Sequence, residues 1–189
     1  SLAKSYRPIS LTSHMAKLLE SLVSKRLVHF LESNKLLHDG QSAYRAARGT
    51  EDSLLYVSSK VSHALQAKHQ AMLSLLDLSK AFDKVQLHSL LMEMRRLNIP
   101  PTFLRFVKAF LCDRKAFVSV RGCNSRIRRF HHGLPQGTVL GPILWLIFSG
   151  GLKPQLDSLI LTANTIPKPS VSISEYADDQ SVLITAKST

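Results

Sequence analysis

Among the 13 acidic residues in this chain is one pair of adjacent aspartates, Asp178-Asp179, and another aspartate, Asp77, closes the apolar run Ala71-Met72-Leu73-Ser74-Leu75-Leu76. A charge at the end of an apolar strand is costly unless something compensates it. Adjacent carboxylates at a hairpin tip repel each other. Three carboxylates at strand ends can converge on one sheet edge and hold divalent cations. Their hard oxygens suit Mg²⁺, which keeps some waters and takes substrate phosphates as its other ligands. Two such ions about 3.5–4 Å apart can activate an attacking hydroxyl and stabilise a leaving oxygen. Taken singly, each feature also has a plain structural reading. Asp-Asp is common at β-turns because Asp favours them, and a strand-terminal Asp can cap a helix or pair with a cation.

The elements that must position these residues follow from pattern. Thr12 or Ser13 caps a helix to about Ser33, with Met15, Leu18, Leu19, Leu22, Val23, Leu27, Phe30 and Leu31 forming one apolar stripe. Asn34 to Gly49 is polar and turn-rich. A second helix starts near Thr50, with Glu51 and Asp52 suited to its dipole. Ala71 to Leu78 reads as a buried strand. Helices follow from Leu87 to Leu97 and from Pro100-Pro101 onward. Phe117 to Arg121 and Arg126 to Phe130 read as paired strands around Gly122-Cys123-Asn124-Ser125, and Thr138 to Phe148 as an apolar helix. Lys153 to Ser170, with Pro154, Pro167 and Pro169, reads as a loop. Val171 to Tyr176 and Gln180 to Ile184 are strands flanking Ala177-Asp178-Asp179. Mixed helices and a mainly antiparallel sheet make the chain α+β.

Composition fits this picture. The 189 residues are 44% hydrophobic and 20% charged, an ordinary globular balance. The formal charge of +12, from 25 Lys+Arg against 13 Asp+Glu, points to a polyanionic partner, nucleic acid first, or to an unremarkable basic surface. Cys112 and Cys123 have neither CxxC nor zinc-site spacing, and two buried reduced thiols are expected. The longest apolar run, Val139 to Phe148, is far short of the roughly 20 residues that span a bilayer. An intracellular protein without a membrane partner is expected.

Five blocks then resemble those of reverse transcriptases, in the family's order: Tyr6-Arg7-Pro8-Ile9-Ser10-Leu11; Gln41-Ser42-Ala43-Tyr44-Arg45; Leu76-Asp77-Leu78-Ser79-Lys80-Ala81-Phe82-Asp83; Gly133-Leu134-Pro135-Gln136-Gly137-Thr138-Val139-Leu140-Gly141-Pro142; and Tyr176-Ala177-Asp178-Asp179. The upstream blocks and the Gly-Leu-Pro-Gln-Gly wording are most similar to non-LTR retrotransposons of the LINE type. A group II intron maturase or a retron enzyme shares the chemistry, and a non-catalytic nucleic-acid-binding remnant is the reading from another class.

The resemblance implies a right-hand polymerase, with fingers at 1–69 and 93–137 and palm at 70–92 and 138–189. It implies RNA-directed DNA synthesis with Mg²⁺ (two ions, Mn²⁺ able to substitute), an RNA template, a DNA primer and dNTPs, nuclear during synthesis. Asp77 and Asp178 map to the metal ligands, Asp179 to the supporting acid, and Leu78 adjoins them at the metal. Phe82 matches the steric gate against a 2′-hydroxyl, Gln136 and Ser79 the dNTP pocket, and Arg45 the fingers residue on the triphosphate. Gly133 and Gly137 leave room for close backbone approach. Arg121, Arg126, Arg128 and Arg129, near His131 and His132, form a basic stretch able to grip template phosphates or to sit exposed without a defined contact.

Some positions depart from the family pattern. Ala43 and Tyr44 stand where Gly and Phe are frequent, and Phe148-Ser149-Gly150-Gly151-Leu152 lacks an Asn-Asp pair. The chain lacks a starting Met and stops ten residues after Asp179. Both ends are therefore expected to be cut from something longer, with primer grip and thumb lying beyond, and the isolated fragment is expected to be weak or inactive.

Overall fold

The computed structural model describes residues 9–162 and 169–187. In chain order the elements are α1 (His14–Ser33), α2 (Thr50–Gln66), β1 (His69–Asp77), α3 (Ala81–Lys84), α4 (Leu87–Arg96), α5 (Pro101–Leu111), β2 (Arg114–Ala116), β3 (Ser119–Val120), β4 (Cys123–Asn124), β5 (Arg128–Phe130), α6 (Gly141–Ser149), α7 (Leu152–Thr162), β6 (Ser170–Tyr176) and β7 (Asp179–Lys187). The α+β expectation holds. The chain divides into two compact units, one of residues 1–33 and 80–148, the other of 34–79 and 149–189.

In the first unit α1 begins where expected: the Ser13 hydroxyl accepts the Ala16 N–H at 3.2 Å. Its apolar stripe does not act as one. Leu27 and Leu31 are fully buried, whereas Met15, Leu18, Leu19 and Leu22 are exposed. The N-terminal half turns Glu20 inward instead. Its carboxylate Oε2 accepts the backbone N–H groups of Val139 (2.8 Å) and Leu140 (3.1 Å), just before α6. Those are donors the helix cannot satisfy itself, and negative charge suits that end of it. On α6, Leu144, Trp145, Leu146 and Ile147 are buried.

The basic segment differs from the expected single hairpin. It forms two short ladders, β2 with β5 and β3 with β4. The inner turn is Arg121-Gly122, both at positive φ, not Gly122 to Ser125. Two positive-φ residues give a type I′ pattern, whose twist matches that of paired strands.

The second unit is built on a three-stranded antiparallel sheet in the order β1-β7-β6. Helix α2 packs against all three strands and α7 against β6. The expectation of a buried β1 is corrected: Met72, Leu73, Leu75 and Leu76 are all exposed. Edge position is not the cause, since β6 at the other edge buries Ile173; among the described residues these β1 side chains stay uncovered. The loop expected over 153–170 is also corrected, since α7 occupies its first ten residues. Pro154 sits in the first turn of α7, where a missing N–H removes no intrahelical bond, and Lys153 pairs with Asp157 one turn on, at 2.6 Å. Pro167 lies outside the described residues.

Cys112 and Cys123 are free but exposed, not buried. Cys112 follows the end of α5, and Cys123 lies in a two-residue strand whose partner leaves both faces open. Among the described residues no helix is long and apolar enough to cross a membrane.

Candidate functional site

The three aspartates fall within the second unit. Register pairs Asp77, the last residue of β1, with Asp179, the first of β7, while Tyr176 of β6 pairs with the same Asp179. Directly opposed residues of an antiparallel pair project from the same face, with Cβ atoms about 4.5–5.5 Å apart. The turn is Ala177-Asp178, so Asp179 belongs to the strand and Asp178 to the tip. Ala177 takes a φ of 57° to close it. All three carboxylates are exposed, so the desolvation cost that the sequence suggested for Asp77 does not arise. Among the described residues no group of three or more His, Cys, Asp or Glu is gathered to hold a metal ion. The donor set still fits a hard cation. Mg²⁺ is commonly bound by one or two carboxylates completed by waters and phosphates, not by an all-protein cage.

Beside the hairpin lies the segment 38–45. Gln41 forms a lone parallel bridge with Glu175, and Glu175 N–H donates to Gly40 at 2.8 Å while Ser42 N–H donates to Glu175 at 3.1 Å. This approach requires glycine at 40, because a Cβ there would lie 1.9 Å from the Ile173 carbonyl oxygen. Arg45 Nη1 donates to the His38 and Gln41 carbonyls at 3.1 Å each, which fixes the loop that carries it. The Tyr44 phenol is raised above its ordinary pKa, first by such burial as it has, then by the Asp178 charge and by Tyr176. With 47% of its surface exposed, Tyr44 lies at the rim of the acidic tip.

The first unit gathers the other blocks. Leu134 N–H donates to Phe82 (2.7 Å) and Gly133 N–H to Val85 (2.8 Å). A Cβ on Gly133 would lie 2.8 Å from the Asp83 carbonyl oxygen, and its φ of +83° is strained for any other residue. Gln136 Nε2 donates to Asp83 Oδ1 at 3.3 Å, and Ser10 N–H donates to the Gln136 carbonyl at 2.8 Å. Phe82 and Gln136 are thus brought together, and the Phe82 ring stacks on Trp145 at 5.5 Å. Tyr6, Arg7 and Pro8 lie outside the described residues. Leu78 and Ser79 continue directly from Asp77, both exposed.

Residues 2–189 match the model of the family described as reverse transcriptase (RNA-dependent DNA polymerase). The chain belongs to that family. It is 35% identical over 184 residues to the RNA-directed DNA polymerase from mobile element jockey of Drosophila melanogaster, covering 97% of this chain and 19% of that protein. The Drosophila funebris jockey polymerase is 34% identical over 95% of this chain and 19% of its own length. A probable RNA-directed DNA polymerase from transposon BS of Drosophila melanogaster is 33% identical, over 79% and 16%. The chain therefore spans about a fifth of the curated relatives it matches. The non-LTR resemblance read from the sequence agrees with these relatives. Among solved structures, apo telomerase from Candida tropicalis, truncated from its C-terminal domain, aligns with a TM-score of 0.61 at 12% identity, over 89% of this chain and 34% of that one. Telomerase from Candida albicans in complex with a telomeric RNA fragment gives 0.61 at 9%, over 88% and 30%. At such identity these two establish the fold alone.

This reverse transcriptase chain also holds residues that sequence reasoning passed over. Glu20 and Glu175 are each 1% exposed. Arg114 donates from Nη2 to the His132 (2.9 Å) and Gly133 (2.6 Å) carbonyls and from Nε to Leu111 (3.1 Å), which fixes the entry to the Gly133 block. Burial lowers its guanidinium pKa. The available signal was a carboxylate inside an apolar stripe for Glu20 and one beside a family block for Glu175; nothing in the one-dimensional pattern marked Arg114. The basic stretch is exposed throughout, with Arg128 and Arg129 on β5 and Arg121 in the β3–β4 turn.

Proposed function

We propose that this chain is the catalytic core segment of an RNA-directed DNA polymerase of a non-LTR retrotransposon, transferring a dNMP from a dNTP to a primer 3′-hydroxyl and releasing pyrophosphate. The observation that carries this reading is the Asp77–Asp179 register beside the Asp178 tip, within a chain matched end to end by the family. Asp77 and Asp178 would hold Mg²⁺, or Mn²⁺ in its place, with the backbone carbonyl of Leu78 as a further oxygen and Asp179 supporting from across the ladder. When bound, two such ions supply activation of the attacking hydroxyl and stabilisation of the leaving oxygen.

The remaining roles belong to the chain's own side chains. Arg45 matches the family's fingers residue on the triphosphate, a role for which guanidinium suits phosphate, and its Nη1 also braces the loop on two carbonyls. The family resemblance assigns Ser79 and Gln136 each to dNTP binding. Phe82, held by its stack on Trp145, sets a ring edge that a 2′-hydroxyl would meet, so dNTP is favoured by exclusion of rNTP. Arg121, Arg126, Arg128 and Arg129 offer cations to RNA template phosphates.

The test is single-nucleotide extension of a DNA primer on an RNA template, with the 189-residue chain at high concentration in Mg²⁺ or Mn²⁺. Weak, non-processive incorporation that Asp178→Asn abolishes supports the reading. Incorporation that survives Asp178→Asn and Asp77→Asn together overturns it.

A further inference from the structure

The residue just before the Tyr176-Ala177-Asp178-Asp179 block is a buried carboxylate with an unusual set of neighbours. Glu175 Oε2 accepts from Gln41 Nε2 (2.9 Å) and from the Ser149 hydroxyl (2.8 Å). Glu175 Oε1 faces His38 Nε2 at 3.4 Å; neither of these two atoms has a hydrogen bond of good geometry. The His38 tautomer follows from its other nitrogen. Gly40 N–H donates to His38 Nδ1 at 3.1 Å, so Nδ1 carries no proton and the ring proton of the neutral form sits on Nε2, toward Glu175. The carboxylate therefore receives two hydrogen bonds, from residues 41 and 149, and has His38 Nε2 at ion-pair range, each from a segment distant from β6 in sequence. Its backbone is also tied on both sides, to Gly40 and to Ser42. One buried carboxylate thus joins the loop that carries Arg45 to the strand that leads into Asp178.

We propose that Glu175 is a positioning residue: its buried carboxylate fixes the 38–45 loop and the Asp178-Asp179 hairpin in one arrangement, and so sets the affinity of the aspartates for a divalent cation. The inference rests on the metal reading of those aspartates. A neutral isostere cannot do the same work. In Glu175→Gln one amide oxygen can still receive Gln41 and Ser149, but the amide NH₂ then faces the His38 Nε2–H, donor against donor. That conflict lies in a buried site, where an unmade bond carries its full desolvation penalty.

The experiment uses the 189-residue chain with two readouts: Mn²⁺ affinity by paramagnetic resonance titration, and hydrogen exchange at the amides of residues 177–180. Glu175→Gln should weaken Mn²⁺ binding about tenfold, the scale on which residues that orient metal ligands act, and speed exchange at those amides. Glu20→Gln alters the other buried carboxylate, on α1, and serves as the control. It should leave both readouts unchanged, and an equal loss of Mn²⁺ affinity there would make the effect general and overturn the proposal. Unchanged exchange and affinity in Glu175→Gln would overturn it too. Should that variant fail to fold, Ser149→Ala removes one donor and keeps the carboxylate. It should speed exchange at the same amides by a smaller factor, and no change would count against the proposal. A parent chain that binds no Mn²⁺, or binds it equally well as Asp178→Asn, sinks the metal reading, while the exchange data still decide whether Glu175 holds the hairpin.

Discussion

Asp77 and Asp179 are opposed residues at the final rung of the β1–β7 ladder, and both are exposed. Like charges directly opposite each other destabilise a sheet by about 0.2–1 kcal/mol. Without metal, Asp77→Asn should therefore raise the melting temperature, by about 1–3 °C for a chain of this size. Mg²⁺ or Mn²⁺ should raise the parent's melting temperature, by about 2.7 kcal/mol of added stability at a hundredfold excess over Kd. Asp77→Asn with Asp178→Asn should lose that response. Thermal melts with and without the ion check both signs, and a metal-dependent rise that persists in the double variant would contradict the assignment.

Phe82 has a structural duty as well as a proposed selective one. Its ring stacks on Trp145 with 17° between planes. Phe82→Val should lower the melting temperature and also raise rNTP incorporation relative to dNTP by about tenfold or more, the scale on which pocket shape alone discriminates. Single-nucleotide extension with matched dNTP and rNTP reads the ratio. A less stable variant whose sugar preference is unchanged would show that Phe82 is only a packing residue.

The basic ladder sorts its arginines by face. Neighbouring strand residues point to opposite sides, so Arg128 and Arg129 start from opposite faces of the ladder. Arg129 lies opposite Lys115 and Arg128 opposite Ala116, which gives the Arg129 face two cations. Each lost phosphate contact lowers the slope of log K against log salt by about 0.7–0.9. Arg129→Gln should reduce the slope for RNA binding by about that much and Arg128→Gln by less. A slope unmoved by Arg129→Gln would remove this face from the template path.

Glu20 supports α6 by receiving two backbone donors that no helix can satisfy internally. Glu20→Ala leaves the Val139 and Leu140 N–H groups without that acceptor, at a cost of about 1–3 kcal/mol. Chemical denaturation should show a lower midpoint for Glu20→Ala and a smaller loss for Glu20→Gln, which keeps one acceptor oxygen. Equal stability of Glu20→Ala and the parent would refute the capping role.

Much of this was legible in the sequence because it is local. Ser13 caps α1, α2 begins at Thr50, Pro101 opens α5, and the five blocks carry the candidate site residues at fixed spacing. What was hidden is non-local. Glu20 meets Leu140 across 120 positions and Gln41 meets Glu175 across 134, and no periodicity reports such pairings. The Asp77–Asp179 register also follows from ladder geometry, not from either segment alone. The misreadings have physical causes too. Pro154 looked like a loop marker, yet in the first turn of a helix its ring breaks nothing. The apolar β1 looked buried, yet among the described residues its leucines stay uncovered.

The tip of the hairpin sets stability against placement. Ala177 holds φ 57° at the first central position of a two-residue turn, where the type II′ sign pattern prefers glycine. A left-handed conformation costs a residue with a Cβ about 1–2 kcal/mol. Glycine avoids that cost but gives up conformational entropy on folding. Ala177→Gly should therefore raise the melting temperature by a small amount, about 1–3 °C. The adjoining Asp178 would then sit on a freer backbone, so Mn²⁺ affinity should fall although stability rises. A melting temperature that drops in Ala177→Gly would show that the positive φ is not held in solution. An affinity that rises with stability would show that Asp178 needs no fixed turn to bind its ion.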